Sequence, residues 1–141
     1  MVEIHFEETE VLDVSPEFFV SWLSILVSKE ERVLGDINLI FCSDDYLLEM
    51  NREHLNHDYY TDIITFDYTN EEVISGDLFI SVDRVKENAN NGNEMFHVEL
   101  NRVVGHGVLH LMGYNDKTED QQKEMTLKEN WALSLIVSRE T

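Results

Sequence analysis

His106 and His110 stand four residues apart in the stretch Gly105-His106-Gly107-Val108-Leu109-His110-Leu111-Met112-Gly113-Tyr114-Asn115-Asp116. On a helix, a rotation of about 100° per residue puts both imidazoles on one face, one turn apart, with two nitrogens aimed at one point. Gly113 falls where a residue tolerant of positive φ lets the helix stop and the chain reverse, which returns Asp116 towards that point. Two imidazoles and a carboxylate suit a borderline divalent ion, most simply zinc, and three protein ligands leave a coordination position open for water. An open position is the mark of catalysis. A structural zinc would be closed by four protein ligands, and the single Cys42 rules out a cysteine-rich site.

The spacing His-x-x-x-His-x-x-Gly-x-x-Asp resembles the long metzincin motif, but Gly107 occupies the position where such a protease carries its glutamate base. Glycine has no proton to exchange, which argues against peptide hydrolysis by that route and leaves a protease as the third reading.

The elements that must hold these residues are readable from periodicity. Val103, Val104, Leu109 and Leu111 give the metal helix an apolar face, and Glu94 is expected to open it, with Phe96 and Leu100 continuing the stripe. A final helix is expected over 118–137, with Met125, Trp131, Leu133, Leu135 and Ile136 among its apolar residues. Upstream, residues 3–8 read as a strand, with Ile4 and Phe6 on one face and His5, which is given no role, on the other. Ser15-Pro16-Glu17 reads as cap, first position and acidic first turn of a helix whose Phe18, Phe19, Trp22, Leu23, Leu26 and Val27 are core.

A strand over 33–41 and a helix capped by Ser43 follow, with Tyr46, Leu47, Met50 and Leu55 expected to face inward. Arg52, His54 and His57 lie on or just past that helix and read as solvated residues. Two strands, 61–68 and 73–82, are expected to pair as a hairpin, the second broken at Gly76-Asp77. Asp62 and Asp77 interrupt apolar strands, where hydrogen bonding is the first expectation and a role in the site the second. Residues 84–89 read as a short helix or turn and Asn90-Asn91-Gly92-Asn93 as a loop. The sum is an α+β domain spanning 1–141, a sheet of about four strands packed with helices, the metal site at the end of a buried helix.

At 141 residues with 43% hydrophobic side chains, the chain can bury a substantial core. One cysteine excludes an intramolecular disulfide, no apolar run approaches the roughly 18 residues that span a bilayer, and the N-terminus lacks a basic signal flank. A cytoplasmic location is expected. Twenty-nine acidic against ten basic side chains give a formal net charge of −19, which disfavours autonomous tight binding of nucleic acid and requires local cations, the metal or a partner at any phosphate site.

The His106–Tyr114 motif resembles the signature of the YbeY family, bacterial metal-dependent endoribonucleases of ribosomal RNA maturation. Asn51, the segment Thr61-Asp62-Ile63-Ile64-Thr65-Phe66, the strand Gly76-Asp77-Leu78-Phe79-Ile80-Ser81, and Met125 and Glu129 are similar to family positions in the same order. The resemblance implies a hydrolase whose metal-activated water attacks an RNA phosphodiester, with His106, His110 and Asp116 as ligands. It also implies small-subunit ribosomal proteins and an assembly GTPase as partners. Two positions depart from it. The third ligand of the family is histidine, and Asp116 makes the site one unit more negative, weakening a bound ion as a Lewis acid. The family's activity-related arginine corresponds to Leu55, and Arg52, three residues earlier on the same helix face, is the candidate substitute. A metal-binding ribosome-assembly factor with little nuclease activity is the alternative these departures raise.

Overall fold

The computed structural model describes residues 1–56 and 60–137, the side chain of residue 137 excepted. Nine elements follow one another along these residues: β1 (Val2–Glu7), α1 (Pro16–Ser28), β2 (Val33–Cys42), α2 (Asp44–Leu55), β3 (Ile63–Asp67), β4 (Val73–Ser81), α3 (Val82–Asn91), α4 (Phe96–Leu111) and α5 (Glu119–Val137). The strands form one sheet in the order β1-β2-β4-β3, parallel except for β3, which runs antiparallel to β4 as the hairpin predicts. The architecture is a single α+β domain with four strands, as the sequence leads one to expect.

The local signals explain where elements begin. Ser15 Oγ accepts from the amide of Phe18 at 3.3 Å and Ser43 Oγ from that of Tyr46 at 3.1 Å, so each hydroxyl satisfies an amide that the first helical turn leaves without a partner. Strand alternation then sorts the core. Leu78 and Ile80 of β4 and Ile63 of β3 belong to the main apolar cluster beneath α1, α4 and α5. Their neighbours Phe79 and Ile64 belong to a smaller one with Leu47, Tyr46 and Met50 of α2. Trp22, fully buried on α1, donates its indole hydrogen to the carbonyl of Ala132 at 2.8 Å and so fixes α5 against α1.

Several expectations are corrected. Strand β4 runs unbroken through Gly76-Asp77. A side chain at Gly76 would meet the carbonyl of Phe66 at 2.6 Å, so glycine there permits close strand packing instead of marking a break. Asp77 accepts from Asn38 Nδ2 at 2.9 Å, the structural hydrogen bond expected of it. Helix α3 extends through Asn90 and Asn91, because its buried Val82, Val85 and Ala89 outweigh the turn preference of the asparagines. Helix α4 begins at Phe96 after Met95, two residues later than Glu94. Leu55 is 42% exposed on the last turn of α2, where the chain enters the left-handed cap at Asn56 (φ 56°), and Asn51, not Leu55, is the buried residue of that turn region. His57 lies outside the described residues.

Cys42 is fully buried between β2 and α2; burial, reinforced by the charges of Asp83 and Asp44, pushes its thiol up to about 12. It is neither a ligand nor a nucleophile. Among the described residues no helix is long and apolar enough to cross a membrane.

Candidate metal centre

Helix α4 packs on β3 and β4, and at Gly107 its backbone comes close to both strands. A Cβ there would stand 2.7 Å from Ile63 Cδ1 and 3.0 Å from Leu78 Cδ1. Position 107 therefore faces the sheet, and the absence of a protease-type glutamate is a consequence of packing: the helix could not seat so deeply with one. Gly107→Val is expected to destabilise the fold by about 1 to 3 kcal/mol, the usual cost of overpacking a core. Urea denaturation measures it, and an unchanged midpoint would contradict the packing role.

Seating the helix at Gly107 turns His106 and His110 out of the core, their side chains 21% and 24% exposed. The helix then stops in a Schellman arrangement: the amide of Gly113 bonds to the carbonyl of His110 at 3.0 Å and that of Tyr114 to Leu109 at 3.1 Å. Gly113 has φ +103°, the conformation that a residue with a side chain resists. The chain reverses there and delivers Asp116.

The three expected donors meet. His106 Nε2 and His110 Nε2 are 3.0 Å apart, and Asp116 Oδ2 is 3.3 Å from each. Among the described residues they are the group of histidine, cysteine and acidic side chains able to hold an ion. Donor atoms at about 2.0 to 2.1 Å from a tetrahedral ion stand about 3.3 Å from one another, so the triangle has the size of one face of such a site.

Proton placement agrees. His110 Nδ1 bonds to the carbonyl oxygen of Tyr114 at 2.9 Å; a carbonyl only accepts, so Nδ1 carries the hydrogen and the neutral ring presents a lone pair at Nε2. His106 Nδ1 bonds to Glu129 Oε2 at 2.6 Å, which sets the same tautomer. Two lone pairs and a carboxylate thus converge with no proton between them while both rings are neutral, an arrangement that repels itself unless a cation sits within it. Burial works against charge on His106, but the hydrogen bond and charge of Glu129, then the charges of Asp116 and Asp62, outweigh it and raise the imidazole's pKa, so the site attracts positive charge. Burial alone would raise Glu129, yet the hydrogen bonds from His106 and Arg102 hold it below the usual carboxylate range.

Glu129 comes from α5 and is itself held. Arg102 Nη1 donates to its Oε1 at 3.1 Å, while Nη2 donates to Asn130 Oδ1 at 2.9 Å. Beside this pair, Asp62, Glu99, Arg102, Val103, His106 and Glu129 line a cleft of about 170 Å³. Burial raises the pKa of Asp62, with His106 opposing, and that of Glu99, with Arg102 opposing. Asp62 thus lies next to the centre, where its sequence position had suggested hydrogen bonding first.

Helical spacing supplies His106 and His110, and the turn at Gly113 supplies Asp116. Neither reveals that Glu129, 23 residues away on another helix, holds His106. Arg52 and Leu55 are on α2, which packs against β3, β4 and α3, and they are not part of the converging group; Arg52 pairs with Glu49 at 3.6 Å.

Comparison with known proteins gives the same picture. The sequence model of the family Endoribonuclease YbeY matches residues 4–136. A relative named Endoribonuclease YbeY from Cytophaga hutchinsonii is 53% identical over 118 residues, covering 82% of this chain and 81% of the relative. One of the same name from Flavobacterium johnsoniae is 45% identical, covering 96% and 97%. The solution structure of a Thermotoga maritima protein superposes with a TM-score of 0.66 at 28% identity, covering 96% of this chain and 90% of that one. The three converging donors and Glu129 all fall within the matched residues, and the chain belongs to the Endoribonuclease YbeY family.

Proposed function

We propose that the protein is a zinc-dependent endoribonuclease that hydrolyses phosphodiester bonds of ribosomal RNA during its maturation, with His106, His110 and Asp116 as the ligands. The observation that carries this reading is the convergence of two imidazole lone pairs and one carboxylate at 3.0 to 3.3 Å, each imidazole fixed from behind by its Nδ1 hydrogen bond. A zinc ion held there would supply Lewis acidity, polarising a phosphoryl oxygen and lowering the pKa of a water.

The chain's own residues do the rest. Glu129 and the Tyr114 carbonyl keep both Nε2 atoms turned to the centre, so no reorganisation is needed when charge develops. Arg102 holds Glu129 in place, which leaves a net cationic contribution to come from elsewhere. Arg52, at the end of α2, is proposed to meet the substrate phosphate in place of the family arginine replaced by Leu55. The reading extends to a cytoplasmic enzyme working with small-subunit ribosomal proteins and an assembly GTPase, for which family membership is the support.

The test is cleavage of a single-stranded RNA by the purified protein: loss with chelator and recovery with added zinc are expected, and Arg52→Ala is expected to slow cleavage by about a hundredfold, the cost of one electrostatic donor. A folded, zinc-loaded protein that leaves RNA intact would contradict the nuclease reading, and an unchanged rate in Arg52→Ala would remove that residue from it.

A further inference from the structure

The loop 112–116 carries both the carbonyl that orients His110 and the third donor, Asp116, and its only residue at positive φ is Gly113. Two side chains from other parts of the chain, Glu30, 84 residues from Tyr114 in sequence, and Lys128 on α5, hold the remainder. Tyr114 Oη lies 2.8 Å from each carboxylate oxygen of Glu30, just past α1, and donates its hydrogen to that carboxylate. Lys128 of α5 donates to Glu30 Oε2 at 2.7 Å. The same ammonium sits 5.2 Å from the centre of the Tyr114 ring and 4.7 Å from that of Trp131. The Glu30 and Lys128 side chains are only 25% and 29% exposed, so the pair is screened less than a surface ion pair.

We propose that Glu30 and Lys128 are positioning residues for the metal centre, acting through Tyr114. The tyrosine is a strut: its hydroxyl and ring are gripped by the ion pair, its carbonyl holds the His110 ring 2.9 Å away, and two residues later the chain presents Asp116. A shift of Tyr114 thus moves two of the three donors together. Charge-assisted hydrogen bonds are about twice as strong as neutral ones, and a cation over an aromatic face restricts the ring further, so the clamp resists such a shift more firmly than the turn alone could. The inference rests on the metal-centre reading above.

Binding of Co²⁺ is the test, because its visible absorption bands report donor geometry independently of catalysis. Tyr114→Phe, which deletes one oxygen, and Glu30→Gln are prepared beside the parent and compared at a temperature where circular dichroism shows all of them folded. Both variants are expected to bind Co²⁺ about tenfold more weakly, the lower end of what outer hydrogen-bond partners of ligands contribute, and to shift the absorption bands. Lowered melting temperature with parental affinity and parental bands would make the clamp a brace between α1 and α5 only, and would overturn the inference. If the parent itself binds no Co²⁺, the metal-centre reading falls and this inference with it; if the parent binds and the variants match it, the inference alone falls.

Discussion

His110→Ala is expected to abolish metal-dependent RNA cleavage, with a loss of about a thousandfold or more, while the fold persists. The size follows from what the centre supplies: Lewis-acid stabilisation is worth several kcal/mol, and each increment of about 1.4 kcal/mol is a factor of ten in rate. Removing one of three donors leaves an imidazole and a carboxylate, too few to retain the ion at ordinary concentrations. The persistence of the fold follows from position. His110 is partly exposed on the last turn of α4, alanine is the best helix former, and the bonds closing the helix at Gly113 and Tyr114 are backbone bonds that truncation does not touch. Cleavage of a labelled single-stranded RNA, with circular dichroism as the control, measures both halves. Residual cleavage near the parental rate would detach the activity from this site.

Glu129→Gln is expected to weaken metal binding by about ten- to a hundredfold, although glutamine matches glutamate in shape and no ligand is altered. Glu129 serves two donors at once, Oε2 taking the hydrogen of His106 Nδ1 and Oε1 that of Arg102 Nη1. Glutamine has one acceptor oxygen. If it faces the guanidinium, which always donates, the amide hydrogens face His106 Nδ1 and favour the tautomer with the hydrogen at Nε2, where a ligand lone pair is needed. If it faces His106, two donors confront one another at Arg102. Competition with a chromophoric zinc chelator measures the affinity, and nitrogen chemical shifts of His106 in the metal-free protein report the tautomer. Parental affinity in a folded variant would show that Glu129 does not orient the ligand.

The parts of this site that depend on local chain geometry were legible. The four-residue interval of His106 and His110, the apolar stripe of α4 and the reversal at Gly113 each follow from helix periodicity or from the φ that only glycine adopts readily, and together they deliver Asp116. The caps at Ser15 and Ser43 are likewise local. Contacts between distant segments were not legible. Glu129 was notable in sequence only for its similarity to a family position, and nothing in a run of acidic and apolar residues on α5 marks it as the one that reaches His106. Gly76 and Gly107 read as a break and as a missing base, yet each is a point of close approach to another element, Gly76 to the Phe66 carbonyl on the paired strand β3 and Gly107 to the Ile63 side chain far back along the chain. Leu55 misled for the opposite reason: its apolar side chain fits an inward face, but α2 ends there and leaves it outside.

Elemental analysis of the purified protein tests the central claim most directly. The parent chain should carry close to one equivalent of a divalent ion, most of it zinc, and His110→Ala prepared in parallel should carry almost none. A parent that contains no metal and takes up none from added zinc, manganese or nickel would contradict the account, because the convergence of His106, His110 and Asp116 would then have no ion to explain it.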